Sequence, residues 1–278
     1  MKTVETLEEL RKARKRLPGP IGLVPTMGYL HEGHFSLANK ARAECASVVA
    51  SIFVNPTQFG PEEDLDSYPR DTPKDLKMLE AAGVDLVWIP SPVVMYPEGF
   101  QTWVEVEGVG KPLEGAMRPG HFRGVTTVVS KLFNGVLPQK AYFGQKDAQQ
   151  AVVIKQMTKD LNFPIEIVVC PTVREGDGLA MSSRNIFLKK DERQASTVLY
   201  QALRAAEKAY NDGERNGESL RKIMEDTIKT EPLARVQYIS CADTKTLQEQ
   251  DKVIEGALLS MAVFVGKTRL IDNMVLGN

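Results

Sequence analysis

The chain has 278 residues, 42% apolar and 26% charged, an ordinary globular composition with enough apolar material for one large or two modest domains. Its 35 Lys plus Arg against 36 Asp plus Glu give a net charge of -1, which excludes the broad basic footprint of a nucleic-acid binder but not a local pocket for a small anion. Apolar stretches such as Val48–Val54 fall far short of the roughly 18 residues that nominate a membrane span, and the highly charged Met1–Arg16 lacks the apolar core of a secretory signal.

In chain order the pattern begins with a helix. Thr6 and Glu9 have capping-box spacing, and a helix-forming stretch continues to Arg16 until Pro18-Gly19-Pro20 stops it. Ile21–Val24 is a short apolar run, expected as a buried strand. After a loop at Thr26–Gly33, the positions of Phe35, Leu37, Ala38 and Ala41 repeat with helical period. Ser47–Val54 is β-branched and almost uniformly apolar, a second buried strand. The alternation continues with helices at Asp75–Ala82, Val125–Val136 and Ala148–Leu161, and strands at Val84–Ile89, Ala141–Phe143 and Ile165–Val169. Near-continuous apolar strands interleaved with helices predict a parallel sheet covered on both faces. Gln101–Val109 alternates differently and is expected as a local hairpin or edge piece.

Beyond Thr172 the texture changes. Arg174–Asn185 is rich in Gly, Ser and charge, which is loop chemistry. Asp191–Asn211 and Glu218–Thr230 read as two long helices, followed by strands at Val236–Cys241, Ala257–Val265 and Thr268–Ile271. The expected class is α/β: a Rossmann-like doubly wound parallel sheet over residues 1–173, with a smaller C-terminal α+β domain over 174–278. The charged stretch from Glu207 to Glu231 reads as a solvated helical face. The 3 cysteines, Cys45, Cys170 and Cys241, lie in apolar runs and are expected to be buried reduced thiols of a cytoplasmic protein.

Chemistry concentrates in four strings. Pro25-Thr26-Met27-Gly28-Tyr29-Leu30-His31-Glu32-Gly33-His34 lies between a strand and the next helix. Such a turn offers backbone N–H groups and the positive end of a helix dipole to phosphate. Gly28 and Gly33 permit close approach, and His31 and His34 can both donate to phosphoryl oxygens. Zinc competes weakly, because zincin histidines stand at i and i+4 and the one further histidine here is His121. A pair of solvated or core-satisfied histidines is the plain alternative.

Asn55-Pro56-Thr57-Gln58-Phe59-Gly60 follows the second strand, where neutral amides can orient a hydroxylated substrate or simply satisfy a turn. Phe143-Gly144-Gln145-Lys146-Asp147 enters a helix carrying Gln149 and Gln150; Lys146 can neutralise phosphate charge, and Asp147 can cap the helix or contact a ribose. Gly178-Leu179-Ala180-Met181-Ser182-Ser183-Arg184-Asn185 offers two hydroxyls and a guanidinium to a triphosphate. Arg118, His121 and Arg123 form a further basic cluster, either reaching the site or lying on a solvated loop.

Taken together, PTMGYLHEGH, FVNPTQFG, FGQKD and AMSSRN make the sequence similar, over essentially its whole length, to the pantothenate synthetase family of pantoate–β-alanine ligases. His31-Glu32-Gly33-His34 resembles the HxGH signature of the wider nucleotidyltransferase superfamily, and Met181–Arg184 its flexible KMSKS-type loop. The resemblance implies ATP-dependent condensation of (R)-pantoate with β-alanine through a pantoyl adenylate, releasing AMP and diphosphate, with magnesium and in a homodimer. It implies an ATP site of Met27, Gly28, Tyr29, Leu30, His31, Glu32, Gly33, His34, Gly144, Gln145, Lys146, Asp147, Val173, Met181, Ser182, Ser183 and Arg184. Gln58 and Gln150 would hold pantoate, with Gln58 also near β-alanine; His34, His31 and Lys146 would be catalytic, and the metal ligands stay unassigned. Gln145 departs from the family's more usual glutamate and changes only local charge. An adenylyltransferase that stops after AMP transfer, a non-catalytic nucleotide-binding regulator and a zinc hydrolase are the competing functions.

Overall fold

The computed structural model describes residues 1–61 and 63–277, which fall into two compact units. The first comprises Met1–Gln145 and Gln149–Pro171, the second Lys146–Ala148 and Thr172–Asn278.

The first unit runs β1 (Lys2–Val4), α1 (Leu7–Arg14), β2 (Ile21–Thr26), α2 (Glu32–Glu44), β3 (Ser47–Ile52), α3 (Thr72–Ala81), β4 (Leu86–Trp88), α4 (Pro92–Met95), α5 (Glu114–Met117), α6 (His121–Val136), β5 (Lys140–Gly144), α7 (Ala148–Asp160) and β6 (Glu166–Cys170). Its six strands pair in the order β1-β4-β3-β2-β5-β6, all parallel. The chain winds outward from β2 through β3 and β4, then returns to place β5 on the other side of β2. That reversal is a topological switch point, where open α/β sheets bind ligands beyond the carboxyl ends of their strands. Every residue of β3 is buried, as expected of a central strand covered on both faces. One core joins Leu10, Phe133, Val136 and Trp88, while another joins Leu37, Ala41, Val48 and Leu79.

Helix starts follow local chemistry. In α1 Glu9 N donates to Thr6 Oγ1 at 3.2 Å, and Thr6 N donates back to Glu9 Oε2 at 3.1 Å, the expected capping box. In α3 Asp71 accepts from Lys74 N at 3.1 Å, with a proline in the first turn.

Two expectations need correction. Gln101–Val109 forms no strand; instead Val104 N donates to Thr127 Oγ1 at 3.0 Å and Val104 O accepts from Thr126 Oγ1 at 2.6 Å, while its valines pack on the core. Hydroxyls of α6, rather than a strand partner, satisfy that backbone. Asp191–Asn211 is not one helix but α8 (Lys190–Ala195) and α9 (Val198–Asn211). Ser196 and Thr197 at the break donate their hydroxyls to Glu192 O and Gln194 O, at 2.7 and 2.9 Å, which competes with continuous helix.

The second unit continues with α10 (Gly217–Ile228), β7 (Ala234–Ala242), β8 (Ala257–Val265) and β9 (Thr268–Leu276), an antiparallel sheet in sequence order. The apolar faces of α9 and α10 bury Leu199, Leu203, Leu220 and Met224 with Leu259, Met261 and Val263. The three cysteines are free and buried. Among the described residues no helix is long and apolar enough to cross a membrane.

Candidate active site

The loops after β3, β2 and β5 leave the same edge of the sheet because those strands are parallel neighbours. The loop after β2 turns sharply, with Gly28 at φ 84° and Tyr29 at φ 50°, and enters α2 through its two histidines. His31 is the N-cap residue. Its Nδ1 accepts from Gly33 N at 3.1 Å, and His34 Nδ1 accepts from His31 N at 3.4 Å. The i, i+3 spacing is thus a capping box made of imidazoles. With both Nδ1 atoms accepting, the neutral tautomer of each ring carries its proton on Nε2. The rings lie with centroids 4.2 Å apart, tilted by 48°. Gly33 is required by the same geometry, since a Cβ there would meet His31 Cε1 at 2.8 Å and Nδ1 at 2.9 Å.

One expectation changes here. The turn does not offer a row of open N–H groups to an incoming phosphate. Tyr29 N and Leu30 N donate to Asp75 Oδ2 and Oδ1 at 2.8 and 2.7 Å, and Gly28 N donates to Thr26 Oγ1 at 3.2 Å. Burial raises the Asp75 carboxyl above its ordinary value, against the two backbone donors that pull it down. The loop brings the two imidazoles to the positive end of α2.

The turn after β3 is a short 3-10 helix, Pro56–Gln58, capped by the buried Asn55. Asn55 Oδ1 accepts from Tyr96 Oη at 2.8 Å and Thr57 Oγ1 at 2.9 Å, so its Nδ2 donates to Gln58 Oε1 at 3.1 Å and Gly124 O at 3.2 Å. Gln58 is thereby oriented with its amide nitrogen toward Met27, 3.0 Å from the sulfur. That contact joins the β2 and β3 loops.

The basic cluster divides. His121 Nδ1 donates to Gln58 O at 2.8 Å, its Nε2 accepts from Arg118 Nη1 at 3.1 Å, and Arg118 Nη2 donates to Gln58 O at 3.3 Å. Arg118 also pairs with both oxygens of Glu63, at 2.7 and 2.6 Å. Burial, helped by the Arg118 charge, holds His121 down to about 4, so the ring is neutral at physiological pH. Burial opposes ionisation of Glu63, but the hydrogen bonds and charge of Arg118 outweigh it and keep the carboxyl below its usual range. Arg123 turns instead over the Trp103 ring, 4.6 Å from its centroid. Arg118 and His121 therefore hold the Gln58 turn, and Gly124 completes the grip, since a Cβ there would lie 2.4 Å from Thr57 O.

After β5 the chain makes a 3-10 turn, Gln145–Asp147. Gln149 is consumed structurally: Oε1 accepts from Glu114 N at 2.9 Å, and Nε2 donates to Val109 O and Pro112 O. Gln150 is half-buried beside it. In the second unit Lys146 Nζ stands 3.7 Å from Asp147 Oδ1, and Lys146 O accepts from the buried Asn273 Nδ2 at 2.8 Å.

The Met181–Arg184 string rests on an ordered base. Met181 N donates to Val173 O at 3.0 Å, and Asn185 Nδ2 donates to Glu175 Oε1 and Ala180 O at 3.1 and 3.2 Å. Arg174 forks onto Asp272 at 2.6 and 2.9 Å and stacks on Tyr200. Ser183 is buried, while Met181, Ser182 and Arg184 are half-buried, and Ser182 Oγ accepts from Arg184 N at 3.3 Å. Among the described residues no group of three or more His, Cys, Asp or Glu is placed to hold a metal ion.

Sequence reasoning passes over Asp75 and Tyr96 and gives Asn55 only a general role. Asp75 carries no signal, since an acidic residue in a first helical turn is ordinary dipole chemistry. Tyr96 lies 38 residues beyond Gln58 in a segment with no polar pattern.

A model of the Pantoate-beta-alanine ligase family matches residues 1–275. The chain is 59% identical over 277 residues to the pantothenate synthetase of Herpetosiphon aurantiacus, covering 99% of this chain and 100% of that protein. It is 60% identical over 276 residues to the pantothenate synthetase of Roseiflexus sp. (strain RS-1), covering 99% of each. The crystal structure of pantothenate synthetase from Thermus thermophilus matches with a TM-score of 0.95 at 47% identity, over 99% of both chains. That of the pantoate–β-alanine ligase from Francisella tularensis, complexed with β-γ ATP and β-alanine, matches with a TM-score of 0.83 at 36% identity, over 99% of this chain and 97% of that one.

Proposed function

The chain belongs to the pantoate–β-alanine ligase family, and from that premise we propose how its residues carry out the ATP-dependent formation of pantothenate. A carboxylate is a poor acyl electrophile, so the carboxylate oxygen of pantoate first attacks the α-phosphorus of ATP. The bond from that phosphorus to the bridging oxygen breaks, pyrophosphate leaves, and a pantoyl adenylate remains. The neutral amine of β-alanine then attacks the acyl carbon, the C–O bond to AMP breaks, and the amine gives up a proton as the amide forms.

His31 and His34 donate Nε2–H to the phosphoryl oxygens as charge builds there, with His34 as the proton donor. Lys146 and the Ser182–Ser183 hydroxyls add positive potential and hydrogen bonds. The remainder of the nucleotide is held by Met27–Gly33, Gly144, Gln145, Asp147, Val173, Met181 and Arg184. Gln58 and Gln150 hold pantoate, and Gln58 also serves β-alanine. Magnesium would travel on the triphosphate, since Mg2+ keeps several waters and takes one or two carboxylates plus substrate phosphates. The oxygen donors of Asp147, Ser182 and Ser183 suit such a hard cation. We place the enzyme in the cytoplasm as a homodimer, and closure of Met181–Arg184 over the adenylate would keep water out.

The observation that supports this reading is the imidazole capping box, in which both Nδ1 atoms accept and the proton of each neutral ring is on Nε2. The experiment is AMP release with ATP and pantoate, before and after β-alanine is added. Steady AMP formation that requires β-alanine and yields an amide supports the ligase path. Steady AMP formation without amine would mark a hydrolase, and pyrophosphate release with AMP retained on the acceptor would mark a transferase.

A further inference from the structure

Four acceptor assignments fix the backbone ahead of α2. Tyr29 N and Leu30 N go to Asp75, His31 N goes to His34, and Gly33 N goes to His31. The two histidine acceptors are local. Asp75 is not: it comes from the first turn of α3, more than forty residues along the chain, and is only 1% exposed. Its two oxygens take one N–H each from successive residues, the arrangement by which backbone nests bind anions. The nest exists because Gly28 and Tyr29 are both left-handed, and a Cβ on Gly28 would stand 3.0 Å from Asp75 Oδ2. A carboxylate of the protein thus occupies the position that an incoming phosphate would otherwise claim.

We propose that Asp75 is a positioning residue for the adenylation step. By filling the nest it holds Tyr29–Leu30 in the turn that aims the His31 and His34 Nε2–H donors, and it directs the triphosphate to the imidazoles rather than to the loop amides. The proposal rests on the roles assigned above to those two histidines. Asp75 is buried and accepts a backbone N–H on each oxygen, so its effect passes through ring placement and falls on turnover more than on ATP binding. Displacing reacting groups by about an ångström costs on the order of 100-fold in rate.

The test is a double-mutant cycle on single-turnover adenylate formation, using Asp75→Ala, His34→Ala and the double variant, with folding checked by circular dichroism. Asp75→Ala is expected to lose about 100-fold in rate with little change in KM for ATP. Added to His34→Ala, it should cost almost nothing more, because its effect is already absent. Formate, supplying a carboxylate to the emptied nest, should restore part of the Asp75→Ala rate. Near-normal turnover in folded Asp75→Ala, or a full second loss on top of His34→Ala, would overturn the proposal. Normal turnover in His34→Ala would instead remove the histidine reading beneath it, so the two failures are distinguishable. Should Asp75→Ala fail to fold, Asp75→Asn serves in the same cycle. It keeps the volume and one acceptor, so a smaller, equally non-additive loss that formate leaves unchanged is expected, and an additive loss contradicts the proposal.

Discussion

The two loops that meet at Met27 and Gln58 each have a distant anchor, Asp75 and Arg118, but differ in how much they support themselves. The β2 loop carries much of its own support: His31 and His34 bond to backbone N–H groups within the loop, and Gly33 makes room for the ring above it. The Gln58 turn depends on residues some sixty positions later, where Arg118 and His121 hold its carbonyl and Gly124 lets α6 touch it. Each loop therefore tolerates different damage. A self-capped loop fails through small changes within a few residues, with little effect on the rest of the fold. A turn gripped from another helix fails through loss of a network, and stability and substrate positioning fall together.

The largest effect should come from removing the donor itself. His34→Ala is expected to lose roughly 100- to 1000-fold in kcat, the cost of deleting one preorganised donor. Melting should shift only by the value of a helix cap, about 1 kcal/mol; AMP release and thermal denaturation on the same preparation check both. Gly33→Ala probes the self-capped loop more finely, because it leaves every functional side chain in place and only pushes the His31 ring. We expect about 100-fold in turnover from that displacement, and an unchanged rate would show that the loop does not support itself in this way.

On the other side, Arg118→Ala strands the partly buried Glu63 carboxylate and loosens the Gln58 carbonyl. It should cost about 2 kcal/mol of stability, as for hydrogen bonds to charged groups, while raising KM for pantoate more than KM for ATP. Equal effects on the two substrates in steady-state kinetics would contradict the division of labour.

The effect confined to the narrowest conditions is one of pH. His121 sits at about 4 in the folded protein, below the roughly 6.5 of an unfolded chain, so the unfolded state binds its proton first. Its contribution is complete above pH 6.5 and declines as pH falls toward 4, at up to about 1.4 kcal/mol per pH unit. Stabilities of the protein and His121→Gln from denaturant titrations, measured across that window, should diverge in slope by that amount.

Most of the sheet is legible in the sequence because buried parallel strands are uninterrupted apolar runs. The bounds expected for Ala257–Val265 are those observed, and those of β2, β3, β5 and β6 agree within two residues at each end. The three-residue edge strand β1 escapes because Lys2-Thr3-Val4 is too short and polar to show a pattern. Gln101–Val109 misleads because its alternation serves packing on α6 and the core, not a ladder. His31, His34 and Gln58 are visible as residue types at strand ends. What positions them is not, because Asp75, Tyr96, Arg118 and His121 act over long sequence separations that no local spacing records.

If the imidazoles of the β2 loop drive adenylation of a pantoate oriented by the β3 turn, pyrophosphate must leave before any amine arrives. Its single-turnover release from ATP and pantoate, with no β-alanine present, is therefore the decisive measurement. We expect one pyrophosphate per active site from the unaltered protein, and none on the same timescale from His34→Ala that still binds ATP. Pyrophosphate that appears only after β-alanine is added, or an undiminished burst from His34→Ala, would refute this mechanism.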